Sequence, residues 1–170
     1  MKNKLIILGV IAVFSTALFL LLPRKADKGS CVTGDCLNGS GKLVFKDGRK
    51  YVGSFVEGAF SGNGILMLPD GRKYEGEWQN DRPNGFGIQT NPDGTVYKGE
   101  WQDGKYHGEG VLTTADGGSY TGKWQEDLPH GSGTLIKPDG SKFIGEFRNG
   151  KPAGVGTLIT PEGEEKKVSL

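Results

Sequence analysis

Aromatic and polar residues alternate in a five-residue motif that recurs along the chain. In Tyr74-Glu75-Gly76-Glu77-Trp78, the aromatic rings and the central glycine occupy every second position. Side chains of a β-strand point alternately to its two faces, so the pattern predicts a strand with an aromatic face and an acidic face. Copies follow one another every 23 residues, at 51–55, 74–78, 97–101, 120–124 and 143–147.

Two further landmarks keep the same 23-residue period. Together with the central glycines they account for most of the 30 glycines, which excludes a flexible glycine-rich linker. A fixed period of this size indicates stacked supersecondary units that contact mainly their neighbours. Gly-x-Gly pairs begin at Gly39, Gly62, Gly85, Gly108, Gly131 and Gly154, and acidic-Gly turns begin at Asp47, Asp70, Asp93, Asp116, Asp139 and Glu162.

Tyr-x-Gly-x-Trp, a short loop, Gly-x-Gly-x-Leu and Asp-Gly together resemble the MORN (membrane occupation and recognition nexus) repeat. The resemblance covers residues 38 to 163, with Gln89 at a position where Leu is usual and Glu162 in place of Asp. It implies an interaction or scaffolding module, since arrays in this family bind proteins, self-associate, bind phospholipid or accompany enzyme domains. An export-type segment precedes the repeats, so the resemblance is to a bacterial envelope type of this family.

The turn sequence sets the expected strand register. Pro69-Asp70-Gly71 suits a three-residue hairpin with a glycine bulge. We therefore expect an all-β fold, an elongated, single-layer, twisted antiparallel sheet of about twelve strands built from stacked 23-residue β-hairpins. Rings would cover the glycines, Tyr would stack on Tyr and Trp on Trp, and 79–84 would form a six-residue connection. The expected pairs are Leu68–Arg72, Leu66–Tyr74, Gly64–Gly76 and Gly62–Trp78.

The chain divides into four parts. Residues 1–25 are a transmembrane anchor or signal peptide, 26–37 a linker and cysteine-containing N-terminal cap, 38–163 the MORN repeat domain, and 164–170 a C-terminal cap strand. The period places Lys28, Ser30 and Val32 in the Tyr, Gly and Trp registers at one end. At the C-terminal end it places Lys166, Val168 and Leu170 in the same three registers.

The N-terminal segment is apolar and uncharged from Leu5 to Leu22 and follows Lys2 and Lys4. A helix of this length, about 27 Å, just crosses a bilayer. An uncleaved anchor, a cleaved signal peptide and a buried core helix all remain open, and the lack of a small-residue cleavage site favours the anchor. The basic start predicts that the repeats are exported, although Arg24-Lys25 after the segment weakens this orientation.

The two cysteines, Cys31 and Cys36, lie close together behind the export-type segment. In an oxidising compartment they could form a disulfide, which we predict. The formal charge is +1, but four basic residues and no acid lie in the first 25, so the rest of the chain is net acidic. That balance argues against a nucleic-acid partner.

The aromatic ladder is the one candidate binding feature, and two interpretations stay open. Its rings form either a closed core or an open trough for a peptide, sugar or lipid chain. No metal or cofactor site is expected, although His107 and His130 share one repeat position. No catalytic set is visible. The candidate binding residues are Tyr51, Tyr74, Trp78, Tyr97, Trp101, Tyr120, Trp124 and Phe143.

These observations predict a non-catalytic, membrane-anchored interaction or scaffold protein of the cell envelope. We expect a single pass through the inner membrane with the repeats on the periplasmic side. The partner would be a protein or a second copy. A phospholipid- or glycan-binding module that uses the aromatic face is the alternative.

Overall fold

A computed structural model describes residues 29–170 as thirteen β-strands. The described part contains no helix, and accordingly no helix within 29–170 is long and apolar enough to span a bilayer. The predicted N-terminal anchor lies outside the described residues. The strands are β1 (Ser30–Gly34), β2 (Ser40–Val44), β3 (Lys50–Val56), β4 (Ala59–Met67), β5 (Lys73–Gln79), β6 (Arg82–Thr90), β7 (Val96–Gln102), β8 (Lys105–Thr113), β9 (Ser119–Gln125), β10 (Leu128–Ile136), β11 (Lys142–Arg148), β12 (Lys151–Ile159) and β13 (Glu165–Ser169).

All thirteen strands form one open sheet in which the strand order equals the sequence order. Every neighbouring pair is antiparallel, so the chain is a succession of hairpins. This confirms the all-β antiparallel prediction, with thirteen strands rather than about twelve.

The acidic-Gly turns form as the sequence predicts. Leu68 donates its amide to the Arg72 carbonyl at 2.9 Å, and Gly71 donates to the Leu68 carbonyl at 3.0 Å. Gly71 has φ +91°, the left-handed conformation that a glycine bulge needs. The Asp70 carboxylate accepts the Arg72 amide at 3.0 Å and so fixes the turn. The pairs Leu66–Tyr74, Gly64–Gly76 and Gly62–Trp78 are all observed.

The second connection differs from the predicted six-residue loop. β5 ends at Gln79 and β6 begins at Arg82, so only Asn80 and Asp81 form the turn. Both have positive φ, 49° and 65°, which is the signature of a type I′ hairpin. The four equivalent turns, 57–58, 103–104, 126–127 and 149–150, share this conformation.

The first glycine of Gly-x-Gly lies at a β-bulge. Between β3 and β4, pairing jumps from Gly53–Gly64 to Ser54–Ser61, so two residues of β4 have no partner in β3. Gly62, one of these two, has φ +63°. The prediction that a ring covers both glycines is wrong for the first, because there the backbone conformation requires glycine.

The second glycine is required by the ring that covers it, as predicted. A Cβ atom on Gly64 would lie 2.2 Å from the hydroxyl oxygen of Tyr51, which is incompatible with any side chain there. The hydroxyl donates to the Ser54 carbonyl at 3.1 Å, so the ring is fixed at both ends. The same arrangement recurs at Tyr74, Tyr97 and Tyr120.

The aromatic rings of successive repeats interlock into one continuous core. Tyr74 meets Trp101 of the next repeat edge-to-face, with ring centroids 4.9 Å apart and an interplanar angle of 83°. The expected stacking of Tyr on Tyr and Trp on Trp is therefore wrong, because each Tyr of the motif packs on the ring at the Trp position of the next repeat, which for Tyr120 is Phe147. The indole N–H of Trp101 donates to the Gly87 carbonyl at 3.3 Å, which ties each ring to the preceding repeat.

The two ends of the sheet follow the period unequally. At the C-terminus, Val168 pairs with Gly156 and Lys166 with Leu158, as predicted. At the N-terminus, Cys31 pairs with Leu43 and so takes the Tyr register, whereas Ser30 pairs with Val44. The predicted Gly register of Ser30 is wrong, because Gly34 takes that register opposite Gly41.

Candidate functional site

The eight predicted binding residues are buried. Their exposed fractions lie between 0 and 3%, so they form packed core rather than the wall of an open trough in the described part of the chain. Their role in binding stays a prediction. The residues are Tyr51, Tyr74, Trp78, Tyr97, Trp101, Tyr120, Trp124 and Phe143.

Burial also sets the acid–base behaviour of these rings. Desolvation raises the pKa of Tyr51, Tyr74, Tyr97 and Tyr120 above the ordinary tyrosine value, and that of Tyr106 as well. The phenols are therefore neutral hydrogen-bond donors at physiological pH. Their chemistry is structural, since each hydroxyl is already committed to a backbone carbonyl in its own repeat, Tyr106 excepted.

Sequence reasoning missed two aromatic rings of this core. Phe60 stacks on Tyr51 with centroids 3.7 Å apart, and Tyr106 stacks on Tyr97 at 3.6 Å. Both follow a type I′ turn, inside the segment that we predicted as a loop. Two-residue turns at Asp103-Gly104 and Asn149-Gly150 were the available signal, because these dipeptides favour the type I′ conformation.

The opposite side of the sheet, here called the outer face, is exposed and carries large apolar side chains. Their exposed fractions range from 38 to 68%. Alternation along the strands places these side chains away from the rings. They are Val52, Phe86, Val111, Ile144 and Val155.

Two shallow grooves cross the outer face. One, of about 410 Å³, is lined by Thr121, Ser132, Ile144 and Val155. The other, of about 380 Å³, is lined by side chains that include Glu100, His107, Lys123 and His130. Both grooves pass over bare glycine backbone, and the first also carries the apolar side chains of Ile144 and Val155.

His107 and His130, the pair considered for a metal, line one groove together. The Nδ1 atom of His107 is buried without a hydrogen-bond partner in the structure of residues 29–170. Within those residues, no group of three or more His, Cys, Asp or Glu side chains is arranged to hold a metal ion.

Two outward glutamates have a structural role that the sequence did not reveal. Glu77 accepts the amide of Phe86 at 2.9 Å, and Glu100 accepts the amide of Glu109 at 3.1 Å. Both amides directly follow the bulged glycine, where the strand ladder provides no acceptor. The glutamate of Tyr-x-Gly-Glu-Trp therefore satisfies the bulge while the carboxylate stays at the surface.

Cys31 and Cys36 form a disulfide, with the sulfur atoms 2.09 Å apart. It joins β1 to the turn before β2, and Cys36 packs against the end of the aromatic core. The predicted pairing is present at the N-terminal edge of the sheet.

The family of the chain is shown by sequence comparison. The model of the MORN repeat matches five consecutive segments, which together cover more than half of the chain: 51–71, 74–96, 97–119, 120–142 and 143–165. The chain belongs to the MORN repeat family. This membership indicates a role in protein interaction or scaffolding.

Similarities to solved structures are distant. A point mutant of the TCP10 domain of Danio rerio CPAP is 22% identical with a TM-score of 0.46, and the alignment covers 78% of this chain and 63% of that one. The Drosophila melanogaster SAS-4 (dCPAP) TCP domain, solved with a proline-rich motif of Ana2 (dSTIL), is 16% identical with a TM-score of 0.41, over 88% and 99% of the two chains. Virginiamycin B lyase of Staphylococcus aureus is 12% identical with a TM-score of 0.24, over 85% and 74%.

With TM-scores below 0.5, these similarities carry no functional argument, and the neighbours include both a lyase and peptide-bound domains. The chain spans less than two thirds of the Danio rerio domain. No curated protein matches the sequence.

Proposed function

We propose that this chain is a non-catalytic, membrane-anchored interaction protein of the bacterial cell envelope that binds a protein partner on its outer face. The observation that carries the proposal is the asymmetry of the sheet. The ring side is closed by its own aromatic residues, whereas the outer face exposes large apolar side chains, two of which, Ile144 and Val155, line a groove. Apolar surface that stays exposed beside a groove is typical of interaction sites.

The proposed anchor rests on the apolar segment Leu5–Leu22 and the basic residues that precede it. The repeats are proposed to lie on the periplasmic side of the inner membrane. The Cys31–Cys36 disulfide supports this side, because disulfides persist in oxidising compartments. Arg24-Lys25 is the sequence feature that opposes it.

The alternative, a lipid- or glycan-binding module, loses its proposed surface because the aromatic rings are covered. A lipid role would have to use other residues, and vesicle sedimentation tests it. Binding of the full chain to anionic but not neutral vesicles would favour the alternative.

Site-specific photocrosslinking in cells tests the partner-binding face. We expect a photoreactive phenylalanine at Val111 or Ile144, on the outer face, to capture a discrete protein. The matched controls are Asp93 and Asp139, which lie at exposed turn tips of the preceding repeats. Equal capture from tips and face, or no capture at all, would contradict a partner-binding outer face.

Protease treatment of spheroplasts tests the location. Digestion of the repeats from outside, with the protein in the membrane pellet, is the expected result. Survival of the repeats until the membrane is breached would place them in the cytoplasm. Recovery of shortened protein in the soluble periplasm would show a cleaved signal peptide and remove the anchored role.

A further inference from the structure

Phe86 is an exposed aromatic ring with a carboxylate on each neighbouring strand. It lies in β6, directly opposite Glu100 of β7, and its amide is bound by Glu77 of β5. About half of the residue is exposed (48%). Directly opposed side chains in a sheet have Cβ atoms about 5 Å apart, so ring and carboxylates form one patch.

The two carboxylates retain free capacity for a ligand. Each uses its Oε1 atom to accept a bulge amide, which fixes the side chain beside the ring. Neither Glu77 nor Glu100 forms an ion pair within residues 29–170. Lys98, two residues before Glu100 on the same face of β7, also forms no ion pair there.

No other repeat combines these three groups. At the residue that corresponds to Phe86, the other complete repeats carry Asn63, Glu109, Ser132 and Val155. Glu109 lies directly opposite Lys123 in the strand pairing, whereas Phe86 lies opposite a glutamate. The combination of aromatic ring and two flanking carboxylates is therefore a feature of this one position and not of the repeat.

We propose that Phe86, Glu77 and Glu100 bind an arginine or lysine side chain of an extended partner segment. The inference rests on the proposed function and specifies the partner chemistry of the same outer face. The face of an exposed aromatic ring attracts a cation, and a carboxylate on each side adds hydrogen-bond acceptors and opposite charge. Ile88, two residues further along β6 on the same face, would accept an apolar residue that neighbours the cation in the partner segment.

Charge complementarity selects this occupant over an acidic peptide or an anionic lipid. Either would place negative charge against two fixed carboxylates, which is a repulsive arrangement. Both carboxylates are held by backbone amides and cannot turn away without leaving a bulge amide unsatisfied.

The test uses the full chain in detergent micelles and a labelled synthetic peptide of alternating valine and arginine. Its comparison peptides replace arginine by citrulline, a neutral isostere, or by glutamate. Glu77→Gln and Glu100→Gln keep the oxygen that accepts the bulge amide and remove only the charge. We expect each to weaken binding about threefold, and Phe86→Ala about threefold to fivefold.

Glu146→Gln is the matched control, because it holds the same motif position on the outer face without an aromatic neighbour. Glu146 lines the groove beside Ile144 and Val155, so Glu146→Gln should weaken binding less than either glutamine change at the cation site. The citrulline peptide should bind the original chain no better than the arginine peptide binds the variant that carries both Glu77→Gln and Glu100→Gln. Thermal unfolding of each variant excludes loss of fold. Equal binding of arginine and citrulline peptides, no binding, or an equal effect of Glu146→Gln would overturn the proposal.

Photocrosslinking distinguishes failure of the proposed cation site from failure of the proposed partner-binding outer face. Benzoylphenylalanine in place of Phe86 keeps the ring, and mass spectrometry identifies the captured segment. Capture of segments with Lys or Arg at the contact supports the inference. Capture of segments without a cation leaves a partner-binding outer face and removes the cation site. No capture from Phe86, Val111 or Ile144 contradicts both.

Discussion

The hairpins with type I′ turns are of two kinds, which differ at the second residue after the turn. In β3–β4 and β7–β8 this residue is aromatic, Phe60 or Tyr106, and stacks on the tyrosine of its own repeat. In β5–β6, β9–β10 and β11–β12 the corresponding residue is Pro83, Pro129 or Pro152. We call these aromatic-type and proline-type hairpins.

The second residue of the type I′ turn in the next repeat also differs between the two kinds of hairpin. Asp81 accepts the Phe60 amide at 2.8 Å, and Asp127 accepts the Tyr106 amide at 2.8 Å. After a proline-type hairpin the same turn position is glycine, Gly104 or Gly150. The backbone amide of each glycine donates to the proline carbonyl, and glycine has no side chain that could accept a hydrogen bond. Proline has no amide to satisfy, so no aspartate is needed.

The comparison shows that the backbone amide at this position lies outside the strand ladder and is accommodated in two ways. Either a side chain from the following repeat accepts it, or proline removes it. An unsatisfied buried amide is costly, which explains why two positions 21 residues apart vary together. Inter-repeat coupling in this chain is therefore chemical as well as steric.

Loss of the stacked ring should have the largest effect. Tyr106→Ala removes a buried side chain that contacts Tyr97, Trp101 and Trp124, and we expect a loss of about 3–5 kcal/mol in the free energy of unfolding. Pro129→Ala, the matched change in a proline-type hairpin, should cost about 1–3 kcal/mol because it creates an amide without an acceptor. Urea unfolding measures both, and equal losses would remove the distinction between the two types.

Removal of the acceptor should have an intermediate effect. Asp127→Ala leaves the buried Tyr106 amide unpaired, and we expect a loss of about 1–3 kcal/mol. Asp127→Asn keeps an oxygen acceptor and a residue that tolerates the positive φ of 69°, so it should be much milder. If the two variants have the same midpoint in urea, the hydrogen bond does not explain the aspartate.

Conversion of one type into the other should reveal coupling. Asp127→Gly alone removes the acceptor of the Tyr106 amide. In a Tyr106→Pro background there is no amide at this position, so no hydrogen bond is lost. We expect Asp127→Gly to be less destabilising in that background by about 1 kcal/mol, measured by a double-mutant cycle. Additive effects would show that the two positions vary independently.

The two aromatic-type hairpins should differ in their response to alkaline pH, and this is the smallest of the expected effects. Burial raises the pKa of Tyr106 above the unfolded value of about 10. Below about pH 10 the phenol is neutral in both the folded and the unfolded chain, so the free energy of unfolding does not depend on it. Above that pH the unfolded chain loses the proton more readily than the folded chain, and the free energy of unfolding falls. Tyr106→Phe, which copies Phe60, should reduce this alkaline loss and change neutral stability little. An unchanged pH profile of unfolding would contradict a titrating role for Tyr106.

The sequence predicted those parts of the fold that rest on repetition. The register from Leu68–Arg72 to Gly62–Trp78, the ring over the second glycine and the cysteine pairing are all observed. Each depends on residues within one repeat or at one turn. Periodicity was sufficient there because the local chemistry is the same in every copy.

The features that the sequence did not predict depend on contacts between repeats. Segment 79–84 looked like a loop because Pro83 and the turn dipeptide interrupt the alternation, although both fit a type I′ hairpin. The acceptor role of Asp81 joins residues of different repeats, so no local pattern reveals it. The aromatic face could not be assigned as closed without the positions of the rings on neighbouring strands.

The strand order of the sheet also has a consequence for how the chain folds. No strand within residues 29–170 pairs with any strand but its sequence neighbours. All-β proteins usually fold slowly because distant segments must meet before pairing stabilises them, but here loop closure is always short. We expect refolding in stopped-flow experiments to be faster than that of a β-sandwich of similar size. Nucleation should be possible at any hairpin and spread toward both ends.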